Sequence, residues 1–156
     1  MNHWLLKSEP STFSIDDLRK RPRRREHWDG VRNYQARNFM REMRCGDLGF
    51  FYHSSCPEPG IAGIVEVIRE AHPDPSALNP ESPYYDPRAR ANDPRWYMVD
   101  VEYRHEFDPF IDLRELRAHP ELENMTILRR GNRLSITPVT IAEWNFINAL
   151  GADRKR

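Results

Sequence analysis

Short apolar and aromatic runs, each cut off by proline or glycine, set the terms on which this chain can fold. Trp4-Leu5-Leu6-Lys7 stops at Ser8-Glu9-Pro10, and Pro57-Glu58-Pro59-Gly60 separates an aromatic run at Leu48–His53 from the β-branched run Ile61–Ile68. Runs of this length, rich in β-branched and aromatic residues and bounded by turn formers, read as strands. The alternation of Tyr97, Val99, Val101 and Tyr103 with Met98, Asp100, Glu102 and Arg104 adds a half-buried strand. The reading predicts strands at 4–8, 47–54, 61–69, 96–107 and 133–139, joined in one curved mixed sheet.

Helical signals fall between these strands. Ser14, with Asp17 three residues on, predicts a capped short helix through Leu18. The spacing of Tyr34, Phe39, Met40 and Met43 predicts an amphipathic helix over 33–43 that stops at Cys45-Gly46. Segments 112–122 and 124–130 read as short helical pieces. Thr140 with Glu143 caps a last helix running to Leu150 and stopping at Gly151. Between them, Arg19–Arg25 holds six basic residues out of seven and reads as a solvated loop. Segment 71–94 carries six prolines, which marks a loop with a task, here an ordered flap that brings Tyr84 and Tyr85 to a pocket. No steady β-α-β alternation and no glycine-rich phosphate loop occur, so the expected class is α+β: a strongly bent sheet or open barrel with inserted helices, with residues 1–156 forming one domain.

Composition narrows the function. Lys plus Arg and Asp plus Glu both number 24, so the net charge is zero, but the charge is unevenly spread. Residues 1–45 carry eleven basic and six acidic side chains, while 58–123 carry seven and fifteen. A balanced chain holds nucleic acid through a specific pocket more than through bulk charge. The two cysteines form no framework, no apolar run approaches the ~20 residues of a membrane helix, and Met1–Lys7 lacks a secretory core; the expected place is the cytoplasm. The six histidines show no i,i+4 ligand pair, and His53-Ser54-Ser55 places neighbouring strand residues on opposite faces, so neither a metal site, a cofactor nor a catalytic group is assigned. What remains is a recognition set. Trp28-Asp29-Gly30-Val31-Arg32-Asn33-Tyr34-Gln35 offers an aromatic and paired donors and acceptors, Ser8-Glu9 a carboxylate, and Arg129-Arg130-Gly131-Asn132-Arg133 a basic turn. A base splayed from its stack needs these three things.

The blocks Trp4–Pro10, Trp28–Asn38, Phe51–Ser54, Gly60–Val67, Tyr84–Pro87 and Arg129–Ile136, in this order, closely resemble the EVE domain family. The resemblance implies a PUA-like fold related to the YTH and ASCH domains, no catalysis, and a pocket for a modified base, such as a modified cytosine, in DNA or RNA. Carried over by block, it places Ser8, Glu9, Trp28, Asn33, Tyr52, His53, Ser54 and Ser135 around the base, with Trp28 as the stacking wall. Lys7, Arg32, Arg37, Arg129, Arg130 and Arg133 are the expected backbone contacts. An enzyme acting on nucleic acid, or a sensor of a free nucleobase or nucleoside, are the alternatives.

Overall fold

The computed structural model describes residues 1–153. In chain order the elements are β1 (His3–Ser8), α1 (Ile15–Arg19), β2 (Arg25–Trp28), α2 (Tyr34–Glu42), β3 (Leu48–His53), β4 (Gly60–Pro73), β5 (Tyr97–Asp112), α3 (Leu113–Arg117), β6 (Ile136–Val139) and α4 (Ile141–Asp153). All six strands join one open sheet in the order β2-β5-β4-β3-β1-β6. β1 and β3 run parallel, and the other pairings are antiparallel. The expected mixed α+β sheet is therefore present. The β4–β5 ladder loses register at four places between Ile61 and His72, and each such irregularity bends the strands that carry it.

The strands read as near-continuous apolar runs because both faces of the sheet are covered. Trp4, Leu6 and Phe51 face one core together with Ala36 and Met40 of α2. Leu5, Phe50 and Tyr52 face the other, where Trp144 and Ile147 of α4 pack. Trp144 stacks on Phe50 with centroids 4.2 Å apart. The two cores thus share β1 and β3 and split their side chains by the period-two alternation of a strand.

The predicted caps form. Ser14 Oγ accepts from Asp17 N–H while the Asp17 carboxylate accepts from Ser14 N–H. Thr140 and Glu143 make the same reciprocal pair at α4. Two readings need correction. The basic loop gives way at Arg25 to a strand, Arg25–Trp28, that the sequence did not announce; it pairs with β5 along an edge that leaves three of its four residues wholly or partly exposed. Gly151 does not stop α4: the helix continues to Asp153, and a Cβ on Gly151 would lie 2.2 Å from the Phe107 ring, so glycine is there to let the helix reach β5.

The proline-rich stretch is ordered and has its own small core of Ala77, Ala89 and Trp96. Trp96 Nε1–H donates to Asp86 Oδ2 at 2.7 Å. That bond, with those from Arg88, pulls the Asp86 carboxyl down to about 2.

Candidate nucleic-acid interface

A cleft of about 630 Å³ opens where four stretches of chain meet: the end of β1 and the turn after it, the segment from Arg21 through β2 to Asn33, Tyr84 of the proline-rich loop, and Ser135 ahead of β6. Lys7, Ser8, Glu9, Trp28, Arg32, Asn33 and Ser135 all line it, so seven of the fourteen predicted residues converge. A second depression of similar size, by β5 and α4, gathers none of them.

Trp28 forms the floor. Its ring meets Phe51 edge-on at 5.3 Å and Phe13 at 6.4 Å, and only 7 % of the residue is exposed. The indole is thus a core member that shows the cleft a limited strip, not the free platform the sequence suggested. Above it stand polar groups with defined roles. Asn33 caps α2, its Oδ1 accepting from Ala36 N–H at 2.9 Å, which leaves its amide N–H groups available as donors. Ser8 Oγ donates to Phe13 O at 2.6 Å and so folds the Glu9–Thr12 turn against the floor. Burial lowers the pKa of Lys7. Asp29 moves the other way: burial first, then the nearby charge of Asp74, raises its carboxyl.

Arg32 is committed elsewhere. Its guanidinium donates to Tyr84 O, Val31 O, Asp74 Oδ2 and Ser76 Oγ at 2.9–3.1 Å, using four of its five N–H groups. It strengthens the cleft wall but has little left for a phosphate. Its partner Asp74 is buried; burial works to raise that carboxyl, but hydrogen bonds from Ser76, Gly30 and Arg32 outweigh it and hold it below the usual range. This knot ties the proline-rich loop to Gly30, and places Tyr84 against the glycine as one side of the cleft. The flap reading holds for Tyr84; Tyr85 points out and is exposed.

Seven predicted residues lie outside the cleft. Tyr52 faces the opposite core because it alternates with Phe51, and burial pushes its hydroxyl up to about 12. His53 is buried; its Nε2 accepts from Ile15 N–H at 3.1 Å and so supports α1, and desolvation lowers its pKa. Ser54 N–H donates to Ser8 O behind the cleft. Arg37 donates to Arg95 O and lies over Tyr34, bracing α2. Arg129, Arg130 and Arg133 are exposed on the stretch leading to Ser135 and have no ion-pair partner among the described residues.

The sequence reading missed Thr12, Phe13, Arg21, Glu26, His27 and Asp29 as cleft residues. Arg21 comes from the basic run: it sits 5.0 Å over the Phe13 ring and pairs with Glu26 at 2.7 Å. The signal was the unexplained density of arginine, which a charge count shows and a pattern of apolar residues does not. On β2, His27 Nδ1 lies 2.7 Å from Asp100 Oδ1, and that hydrogen bond raises its pKa. His72 Nε2 lies 3.3 Å from the same oxygen.

Comparison with known proteins agrees with this architecture. A family model described as the EVE domain matches residues 2–150. The chain is 43 % identical to thymocyte nuclear protein 1 of Homo sapiens over 96 % of its own length and 73 % of the relative's. A crystal structure of the human protein in complex with 5-methylcytosine-containing DNA superposes with a TM-score of 0.93 at 42 % identity, covering 100 % of this chain and 99 % of that one. A crystal structure of a Pseudomonas syringae protein gives 0.92 at 48 % identity, over 96 % and 99 %. This chain belongs to the EVE domain family.

Proposed function

We propose that the cleft takes up a modified base, a methylated cytosine in DNA being the first candidate, and that the protein is a non-catalytic reader. The observation that carries the reading is the convergence of an aromatic floor with amide, carboxyl and ammonium groups on one cleft. The human relative with this fold was crystallised with 5-methylcytosine-containing DNA. Within the cleft, Trp28 and Tyr84 supply apolar surface for the ring and its methyl, while Glu9, Asp29 and Asn33 face the polar edge. Arg129, Arg130 and Arg133, exposed on the stretch that leads into Ser135, would supply the charge for a flanking backbone. Enclosing one extra methyl is worth about 1–3 kcal/mol, so a methylated strand should bind roughly 10-fold or more tighter than its unmodified match.

Fluorescence anisotropy with matched duplexes and single strands, carrying cytosine or 5-methylcytosine, tests this. Equal affinity for both strands overturns the reading. If the free methylated nucleoside binds as tightly as the duplex, the protein is a nucleoside sensor. Mass spectrometry of the recovered DNA checks the non-catalytic part, since any chemical change in the base refutes it.

A further inference from the structure

His27, His72 and Asp100 come from three adjacent strands, β2, β4 and β5, and place two imidazole nitrogens and one carboxylate oxygen within 4.8 Å of one another. We propose that they form a binding site for a divalent metal of borderline softness, with Zn²⁺ as the first candidate. The proposal does not depend on what the cleft binds.

The argument starts from His72. Its Nδ1 lies 3.0 Å from the carbonyl oxygen of Glu70, and a carbonyl can only accept, so Nδ1 carries the hydrogen. In a neutral ring Nε2 then presents a lone pair. That atom is buried without a hydrogen-bond partner, although Asp100 Oδ1 is 3.3 Å away. Two acceptors facing each other at this distance repel, unless a cation lies between them: a metal ion, or the proton of an imidazolium. Carbonyl bonding of the far nitrogen is also how metal-bound histidines are usually oriented.

The geometry suits a small ion. With metal–nitrogen and metal–oxygen bonds of about 2.0–2.2 Å, ligand atoms in a tetrahedral site lie about 3.3 Å apart. The His72–Asp100 spacing already has this value. The 2.7 Å His27–Asp100 contact is a hydrogen bond, so ligation requires Nδ1 to release its hydrogen to solvent and the spacing to open by a few tenths of an ångström; His27, with 54 % of its side chain exposed, is free to swing. The supports are stiff: His27 and Asp100 are direct cross-strand partners, and His72 pairs with Met98 on the same β5 strand. Two imidazoles and a carboxylate favour zinc-like ions over magnesium or calcium, which prefer all-oxygen sites. Three protein ligands leave room for a water or an anionic oxygen. A bound ion would pin the four-residue edge strand β2 to β4 and β5, and so hold Trp28 from behind.

The test uses the whole chain, stripped with a chelator and titrated with ZnCl₂ by calorimetry. One ion per chain is expected, with affinity falling about 100-fold or more in His27→Gln and in His72→Gln. The melting temperature should rise by roughly 5–10 °C at a hundredfold excess of Zn²⁺ over Kd, in the wild type alone. His27→Gln alters an exposed side chain and so keeps the test valid if His72→Gln folds poorly. Anomalous scattering from Zn²⁺-soaked crystals should peak between the three side chains. No binding, a peak elsewhere, or binding untouched by both variants overturns the site. So does nuclear magnetic resonance showing His72 doubly protonated at neutral pH in zinc-titrated protein, because the pair is then an imidazolium–carboxylate bridge.

Discussion

Replacing Gly30 by alanine would probe fold and cleft together. Gly30 has φ +78°, a conformation that costs a residue with a Cβ about 1–2 kcal/mol. The new methyl would also sit 2.7–2.9 Å from three ring carbons of Tyr84, well inside ordinary contact. The two backbones cannot simply move apart, because Arg32 Nε–H holds the Tyr84 carbonyl at 2.9 Å and Asp74 accepts from Gly30 N–H at 2.9 Å. Overpacking of this kind adds about 1–3 kcal/mol. The total of about 2–5 kcal/mol corresponds to a fall in melting temperature of roughly 5–15 °C for a chain of this size. A double-mutant cycle separates the two parts. In a Tyr84→Ala background the overlap is gone and only the backbone strain remains, so the two substitutions should couple by about 1–3 kcal/mol. Urea unfolding of the four proteins measures this directly. If the coupling is below about 0.5 kcal/mol, Tyr84 does not rest on Gly30 and the account of the cleft wall is wrong.

Other outcomes follow from the same contacts. Trp28→Ala should destabilise the fold by about 3–5 kcal/mol, as removal of a core indole does, so Trp28→Phe is the better probe of base affinity; unchanged unfolding of the alanine variant would refute the core placement. Arg133→Ala should weaken modified and unmodified strands alike and lower the slope of log K against log salt by about 0.9, whereas a selective loss for the modified strand would put Arg133 in base recognition. Asp86, held at about 2 by Trp96 and Arg88, titrates lower folded than unfolded. Its stabilising contribution is therefore complete above the ordinary carboxylate value near 4 and is lost as pH falls through about 2. Trp96→Phe should move the Asp86 carboxyl resonance titration upward, and an unshifted midpoint would refute the assignment.

The strands and caps were legible because their signals are local: β-branched runs between turn residues, and a hydroxyl with a carboxylate three positions on. β2 was not, since an edge strand with one buried residue leaves no apolar pattern, and its pairing with β5 is long-range. For the cleft, Ser8, Glu9, Trp28, Asn33 and Ser135, grouped in the sequence through their block resemblance, do line one cleft. Tyr52 was misplaced because a block of consecutive strand residues was assigned to one face, although the pleat sends Phe51 and Tyr52 to opposite cores. The internal bonding of Arg32 was hidden for a different reason. Its partner Asp74 lies 42 residues away in the proline-rich loop, and no spacing rule announces such a pair. The same holds for His27, His72 and Asp100, which only the sheet brings together.

The position of β1 between β3 and β6 has a consequence for how the chain matures. Lys7 N–H donates to Ser135 O at 2.8 Å, and Leu6 pairs with Ile136, so the first of these six strands to emerge waits for the last. Helices and the β3–β4 hairpin can form as they emerge, but β1 keeps an open, apolar edge until the residues of β6 are out. The rim of the cleft is completed at that same moment, because Ser8 and Ser135 are brought together by this pairing. Ribosome-bound chains cut before Ser135 should show fast amide exchange in β1 and no ligand binding, and chains extended past Val139 should gain both protections in one step.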